Sequence, residues 1–219
     1  MNKLICKYIL NNYKYVSFDV FDTLIERDVN KPSDIFARVG KNVLGEEKAE
    51  EFRNLRKEAE RKAREEKYQT EVTLEQIYKK LNGIYGQDII EKLKNEEIQL
   101  EIDCCHVKKD IISLYNACIK KEKHVLIISD MYLSSEVIGK MLKHCNITGY
   151  EELYVSNEYG INKISGKLFK TVMNINRIKS SEMIHIGDSV KADFLGARKT
   201  GMKSVLISRK NRLERLIHS

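Results

Sequence analysis

The chain has 219 residues, of which 42% are hydrophobic, and a formal net charge of +7 from 39 basic and 32 acidic side chains. This length allows a core domain with an inserted subdomain, and the single proline excludes a proline-rich linker architecture. The basic residues form no single long run, so we expect no nucleic-acid partner, although the surplus charge favours small phosphorylated ligands.

The N-terminal residues 1–14 combine a short apolar run with the charged Lys7. They are too short to span a membrane and predict an amphipathic helix that leads into the first strand. Five cysteines occur without any CxxC pair, which favours free thiols over a disulfide framework or a zinc site. The adjacent Cys104 and Cys105 are likewise expected to be free thiols and not metal ligands. We therefore expect a reduced, cytoplasmic protein with no membrane partner.

The sequence YVSFDVFDTL at residues 15–24 predicts the first strand and the turn that follows it. Val16 and Phe18 suit a buried strand, and the carboxylates of Asp19 and Asp22 follow where this strand ends. In an open α/β sheet, ligands bind at the carboxyl ends of the strands. This stretch is therefore the predicted centre of a functional site.

Helical patterns occupy the chain from residue 26 to about residue 123. Apolar residues recur every three or four positions over 46–67 and predict an amphipathic helix that lies on a surface. Ser33 is the expected N-cap of an earlier helix. Later helices are predicted from a capping box at 73–76, over 87–105 and over 109–121. Most of this block, residues 26–103, reads as a helical insertion between the first two strands, with a hinge near each end.

From residue 124 onward, apolar runs alternate with helical patterns. The predicted strands cover 124–129, 152–155, 183–186 and 203–207, and the predicted helices cover 134–143, 168–174 and 190–200. Residues 209–219 are predicted to form a short basic helix or tail. The alternation predicts an α/β fold with a doubly wound five-stranded parallel sheet, in which the first strand lies between strands 124–129 and 183–186.

Polar residues follow several of these strands in a fixed order. Ser129 and Asp130 end the strand in IISD, Lys163 lies in NKISGKLF, and Asp188 and Asp193 belong to IGDSVKAD. Together with FDVFDTL, this order resembles the haloacid dehalogenase (HAD) superfamily, whose members are mostly phosphatases. Any one of these motifs is a weak signal, whereas the ordered set is a strong one.

The resemblance extends over about residues 15–207. It implies a Rossmann-like core formed by residues 1–25 and 104–219, and an α-helical cap formed by residues 26–103. In the family, such a cap covers the active site, shuts out water and contacts the substrate.

The resemblance implies an Mg²⁺-dependent hydrolase of a small phosphorylated metabolite that forms an aspartyl-phosphate intermediate. The candidate catalytic residues are Asp19, Asp22, Ser129 and Lys163. The candidate substrate contacts are Thr23, Arg27, Asp130 and Tyr132. The candidate metal ligands are Asp19, the backbone carbonyl of Phe21, Asp188 and Asp193.

The chain departs from the family pattern at Phe21. Family phosphatases carry there a second aspartate that protonates the leaving group and then activates water, and phenylalanine can do neither. Asp22 is a candidate substitute, or it only caps the turn. Three alternatives stay open: a phosphate-binding or regulatory module without turnover, a phosphonatase-like hydrolase with a cap lysine, and a dehalogenase-like hydrolase. The acidic Asp188 favours metal-dependent phosphate chemistry over the dehalogenase.

Two further assignments are open at the sequence level. Lys167 competes with Lys163 as the motif lysine, because both prolines of the family's motif are missing, and we prefer Lys163. His185, on the fourth strand, is expected to be a hydrogen-bonded core histidine and not a catalyst.

Overall fold

A five-stranded parallel sheet forms the centre of the computed structural model, which describes residues 2–67 and 70–207. The strands of these residues are β1 (Tyr15–Phe18), β2 (Ile25–Arg27), β3 (Cys105–Val107), β4 (His124–Ser129), β5 (Glu152–Val155), β6 (Met183–Gly187) and β7 (Lys203–Leu206). The sheet has the order β5–β4–β1–β6–β7. The predicted α/β fold and the place of the first strand are therefore confirmed. The predicted C-terminal helix or tail, 209–219, lies outside the described residues.

Helices cover both faces of this sheet and fill the segment between β2 and β3. They are α1 (Lys3–Asn12), α2 (Asp34–Leu44), α3 (Ala49–Glu66), α4 (Leu74–Lys79), α5 (Gln87–Asp103), α6 (Lys109–Lys120), α7 (Ser135–His144), α8 (Ser156–Tyr159), α9 (Lys167–Asn176) and α10 (Gly196–Arg198). Short 3₁₀ turns occur at Glu46–Lys48 and Ser180–Glu182, and a π-helical turn, Val190–Leu195, precedes α10. Within the described residues, none of the helices combines the length and the apolar character that crossing a bilayer requires.

Both faces of the sheet are buried, which explains the continuous apolar runs of its strands. Along β4, Val125 and Ile127 pack into the larger core together with Phe18. Leu126 and Ile128, which alternate with them, pack into a second, smaller core. Successive side chains of a strand lie on opposite faces, so a parallel strand covered by helices on both sides needs apolar residues throughout.

The helical segment, defined here as residues 28–104 with α2 to α5, lies between two short strands. β2 and β3 pair antiparallel, with Ile25 opposite Val107 and Arg27 opposite Cys105. The sequence predicts hinges in this region but not these strands. Three-residue strands containing polar side chains are too short for an alternating pattern to be recognised.

The helix-capping signals have mixed outcomes. The capping box at Thr73 is confirmed, because its side chain accepts from the Gln76 N–H while the Gln76 side chain accepts from the Thr73 N–H. Ser33 precedes α2 as predicted, but its side chain makes no capping hydrogen bond. Its backbone is helical, at φ −68° and ψ −10°, whereas a capping side chain needs an extended backbone. The neighbouring Asp34 carboxylate accepts from the Lys31 N–H instead.

Candidate active site

The turn after β1 holds Asp19 at the carboxyl edge of the sheet. The Asp19 N–H donates to the Ile186 carbonyl of β6 at 2.9 Å and so extends the strand pairing by one residue. The chain then folds back sharply, because the Leu24 N–H and the Ile25 N–H donate to the Val20 carbonyl at 2.8 and 3.1 Å. Asp19 therefore sits between a buried strand and a tight turn, and its position is fixed by backbone hydrogen bonds.

Asp22 occupies the left-handed part of this turn, with φ 57°. Glycine is favoured in this conformation, and aspartate is among the few other residues that adopt it readily. The Asp22 N–H donates to the Ile25 carbonyl at 2.8 Å, and the Asp22 carbonyl accepts from Lys108 Nζ at 2.7 Å. The turn conformation therefore accounts for an aspartate at this position. A catalytic role of Asp22 stays a prediction.

Three carboxylates form a buried acidic cluster at the ends of β1 and β6. Asp19, Asp188 and Asp193 each offer an oxygen, and these oxygens lie within 4.8 Å of one another. Like charges at such distances repel strongly away from water, and either a nearby cation or a proton on one carboxylate relieves the repulsion. Hard oxygen donors are the ligands that Mg²⁺ prefers, and this donor set fits that ion.

Lys163 supplies one positive charge within this cluster. Its Nζ lies 2.5 Å from Asp19 Oδ1, 2.6 Å from Asp193 Oδ1 and 3.2 Å from the Ile128 carbonyl oxygen. Lys167 begins α9 as an exposed residue. Of the two lysines that compete in the sequence, the structure brings Lys163 to Asp19.

The loop that carries Lys163 is held from two sides. The Lys163 N–H donates to both carboxylate oxygens of Asp130 at 3.0 Å, so Asp130 supports the lysine loop. On the other side the loop touches α10, where a Cβ atom at Gly196 would lie 2.1 Å from the Lys163 carbonyl oxygen. A side chain at Gly196 would therefore displace the lysine.

Asp193 enters the cluster from the π-helical turn. Its Oδ2 accepts from the Ser189 N–H at 2.8 Å. A Cβ atom at Gly187 would lie 2.2 Å from Asp193 Cγ, so the glycine of the GD motif is needed for this close approach. The helix predicted over 190–200 is thus present, but its first part is a π-helix, which occurs frequently at functional sites.

The charges in the cluster shift one another's pKa values in different directions. Burial raises the pKa of Asp19 to about 7, an effect that Lys163 opposes and that Asp193 and Asp188 reinforce. Burial acts in the same sense on Asp193, but Lys163 and His185 outweigh it and the pKa of Asp193 is lowered. Burial would lower the pKa of Lys163, but Asp19, Asp193 and Asp130 together raise it. One lysine therefore leaves negative charge at Asp19 uncompensated, and a bound cation would favour its ionised form.

Two hydroxyl groups, one in the turn after β1 and one at the end of β4, are fully buried and have no partner among the described residues. Ser129 Oγ and Thr23 Oγ1 have no hydrogen-bond partner among the described residues, and both residues are 0% exposed. Leaving a buried polar group without a partner costs about 1–3 kcal/mol, so such groups call for a ligand or ordered water. Ser129 ends β4, the strand that pairs with β1, so it lies at the same edge of the sheet as Asp19.

Arg27 is held between Phe21 and Glu101 and is not an ordinary surface arginine. Its guanidinium lies over the Phe21 ring at 4.1 Å, and its side chain is 13% exposed. Glu101 of α5 accepts from Arg27 Nε at 2.7 Å and from Nη2 at 3.3 Å. The sequence contains no signal for Glu101, because the two partners lie 74 residues apart.

Tyr132 lies in the contact between the core and the helical segment. It is buried, and its backbone carbonyl accepts from the Leu74 N–H at the start of α4. The guanidinium of Arg56, from α3, lies 4.9 Å from its ring centroid. The loop after Ser129 is thus packed against the helical segment.

His185 is fully buried on β6 and hydrogen-bonded at both ring nitrogens, as expected of a core histidine. Burial lowers the pKa of His185, although Asp193 acts in the opposite sense. The sequence does not indicate that one of its partners is Asp193.

Comparison with solved structures supports the same fold. The chain is similar to the 2-haloacid dehalogenase from Pseudomonas syringae pv. Tomato DC3000, with 18% identity, a TM-score of 0.61, and coverage of 89% of this chain and 86% of that one. It is similar to YfnB from Bacillus subtilis, assigned as a HAD-hydrolase and bound to magnesium, with 18% identity, a TM-score of 0.59, and coverage of 90% and 87%. A predicted phosphoglycolate phosphatase from Haemophilus somnus 129PT has 10% identity, a TM-score of 0.58, and coverage of 90% and 86%.

At these identities the likeness establishes the fold and not the substrate. Among curated proteins, none matches this chain significantly. The family model of haloacid dehalogenase-like hydrolases, however, matches residues 16–207, a range that contains most of β1, the Asp19 that follows it, β4 with Ser129, the Lys163 loop and the carboxylates after β6. The chain therefore belongs to the haloacid dehalogenase-like hydrolases.

Proposed function

We propose that this hydrolase is an Mg²⁺-dependent phosphatase that cleaves a small phosphorylated metabolite through an aspartyl-phosphate. The observation that supports it best is the pair of unpartnered buried hydroxyls of Ser129 and Thr23, beside a carboxylate cluster that contains its own lysine. Hydroxyl groups and an ammonium group suit the oxygens of a phosphate. Asp188 in the cluster argues against the dehalogenase alternative, because the family's dehalogenases do not keep an acidic metal ligand there.

In this mechanism Asp19 attacks phosphorus in line with the leaving group, and the bond from phosphorus to the leaving-group oxygen breaks as the aspartyl-phosphate forms. Water then hydrolyses the aspartyl-phosphate, which releases inorganic phosphate and regenerates the Asp19 carboxylate. Ser129 and Thr23 donate to the phosphate oxygens, and Lys163 keeps Asp19 oriented while it balances part of the charge. Asp19, Asp188, Asp193 and the backbone carbonyl of Phe21 would hold the ion. When bound, Mg²⁺ would neutralise the charge shared between the carboxylates and the phosphate.

In this proposal residues 26–103, which include most of the helical segment, form a cap. Residues 1–25 and 104–219 form the core domain that this cap covers. The proposed substrate contacts near this cap are Arg27, Asp130 and Tyr132. A capped site suits a small molecule and not a nucleic acid.

The free cysteines fit a reducing compartment, so a cytoplasmic location is part of the proposal, and cell fractionation tests it.

Phe21 predicts which leaving groups the enzyme accepts. Since the Phe21 side chain cannot donate a proton, 4-nitrophenyl phosphate and acetyl phosphate should be hydrolysed faster than glucose 6-phosphate, on the order of 10²-fold or more. Phe21→Asp should raise the glucose 6-phosphate rate. Phe21→Leu, which also removes the ring beneath Arg27 but adds no acid, is the matched control and should not. The rate of phosphate release at saturating Mg²⁺ is measured for the native protein, Phe21→Asp and Phe21→Leu.

Three outcomes would redirect this proposal. If the native protein hydrolyses glucose 6-phosphate at an ordinary enzymatic rate, another residue provides the proton, and Asp22→Asn should remove the activity. If neither the native protein nor Phe21→Asp releases phosphate from any of the three compounds, the phosphate-binding module is the better interpretation. A phosphonatase-like enzyme would cleave a phosphonate, and borohydride added with the substrate would inactivate it, because that chemistry passes through a lysine Schiff base.

Asp188 provides the test of the metal. Asp188→Asn should weaken Mg²⁺ binding, measured by calorimetry, and should remove phosphate release, because it takes one anionic ligand from the cluster. The fold should persist, since the substitution preserves size and removes a repulsive charge. Asp110→Asn, on α6 and outside the acidic cluster, is the control. Full activity of the native protein in excess chelator would contradict the metal-dependent mechanism.

A further inference from the structure

A buried histidine connects the acidic cluster to Ser17 of β1. The pairing of β1 with β6 places His185 in register with Ser17, two residues before Asp19. Both residues are 0% exposed, and the Phe169 ring contacts the imidazole at a centroid distance of 4.7 Å. His185 Nδ1 lies 2.8 Å from Ser17 Oγ, and Nε2 lies 3.1 Å from Asp193 Oδ1.

The partners of this imidazole determine its tautomer. The Asp193 carboxylate is paired with Lys163 at 2.6 Å and, being ionised, can only accept hydrogen bonds. Nε2 of His185 must therefore carry a hydrogen, and Nδ1 of the neutral ring must accept one. Ser17 provides it, because its other acceptor, the Ile184 carbonyl, is 3.5 Å away. The opposite tautomer would place a nitrogen lone pair against a carboxylate.

The same contacts use up most of the acceptor capacity of Asp193. An ionised carboxylate has about four lone-pair positions. Lys163 Nζ and His185 Nε2 occupy the two on Oδ1, and the Ser189 N–H occupies one on Oδ2 at 2.8 Å. One position on Oδ2 is left over, and the carboxylate cannot rotate without breaking at least one of the three bonds.

We propose that His185 is a positioning residue of this site: its Nε2–H, set by the Ser17 hydroxyl, holds the Asp193 carboxylate so that a single Oδ2 position is presented to the cation. The inference rests on the proposed cation site and adds to it a residue pair outside the ligands. Groups that hydrogen-bond a metal ligand typically change metal affinity by about 10–100-fold when they are replaced.

Calorimetry of Mg²⁺ binding to the full chain tests the positioning role. His185→Leu, which removes the donor, should weaken Mg²⁺ binding by about 10-fold. His185→Gln, whose side-chain amide can still donate to Asp193, should stay within a few-fold of the native affinity. Phe169→Leu loosens the packing of the imidazole without touching its hydrogen bonds, so it should leave the affinity unchanged. Thermal unfolding of each variant establishes the temperature below which all are folded.

A second measurement needs no metal. In the metal-free protein, the ¹⁵N resonances of the His185 ring should show a protonated Nε2 and an unprotonated Nδ1, and Ser17→Ala should perturb this pattern. If Nδ1 carries the hydrogen, the inference is wrong whatever the protein does with Mg²⁺. It is equally wrong if His185→Leu binds Mg²⁺ as tightly as Phe169→Leu. If the native chain binds no Mg²⁺ while the tautomer is as expected, the proposed cation site fails and the positioning role fails with it, leaving only the assigned hydrogen bonds.

Discussion

Replacing Lys163 with methionine is expected to lower kcat/KM for 4-nitrophenyl phosphate by on the order of 10³-fold, the scale of losing a preorganised charge at a reacting centre. Its ammonium group contacts Asp19 and Asp193 at once, and both carboxylates are buried. Without it, the two carboxylates repel each other, and the nucleophile loses the partner that orients it. Phosphate release at saturating Mg²⁺ measures the effect.

Lys167→Met is the matched control, because this lysine lies four residues further along the chain and is exposed. It should keep the native rate. Since Lys163→Met also leaves buried charge unpaired, circular dichroism must show that the variant is folded at the assay temperature. Equal losses in the two variants, or a folded Lys163→Met with native activity, would contradict the place assigned to Lys163.

The largest effect on stability is expected from Glu97→Leu in the helical segment. Glu97 and Arg56 are both 0% exposed and form a bidentate ion pair, with Nε to Oε2 at 2.8 Å and Nη2 to Oε1 at 2.7 Å. Tyr78 also donates to Glu97, at 2.8 Å. Removing Glu97 leaves the buried Arg56 charge only partly compensated, by Glu60 Oε2 at 3.2 Å from Nη1, so the free energy of unfolding should fall by about 3–5 kcal/mol. Denaturant unfolding followed by circular dichroism measures this.

A double substitution separates the ion pair from packing. Arg56→Met with Glu97→Leu removes both charges and keeps similar volume, so it should regain much of the stability lost in Glu97→Leu. Glu136→Leu, which breaks the exposed pair with Lys140, should change stability little. If the double variant is no more stable than Glu97→Leu, the loss comes from packing and the unpaired guanidinium is not its cause.

The helix α3 shows how far a sequence pattern reaches. Its apolar stripe is confirmed, with Phe52, Ala59 and Ala63 buried. The same pattern predicts a charged outer face on a surface, and Arg56 is an exception that no periodicity reveals. Its burial depends on Glu97, which lies 41 residues away on another helix.

The residues at the strand ends were predictable for a local reason. Asp19, Ser129 and Asp188 each follow an apolar run, and parallel strands bring their carboxyl ends to one edge. The conformation of the turn at Asp22, in contrast, shows only in the backbone, because its φ of 57° depends on hydrogen bonds that close the turn.

By itself, the sequence determined the parallel sheet, the place of its first strand, the start of most helices and the set of motif residues, because periodicity, caps and turns act between neighbours in the chain. The tertiary structure alone decided that Lys163 and not Lys167 reaches Asp19, because that depends on a loop held by Asp130 and Gly196. It also decided the pairing of Arg27 with Glu101 and of His185 with Asp193. Such contacts depend on how whole elements pack, and no short-range pattern encodes the distance between two side chains that meet only in the folded chain.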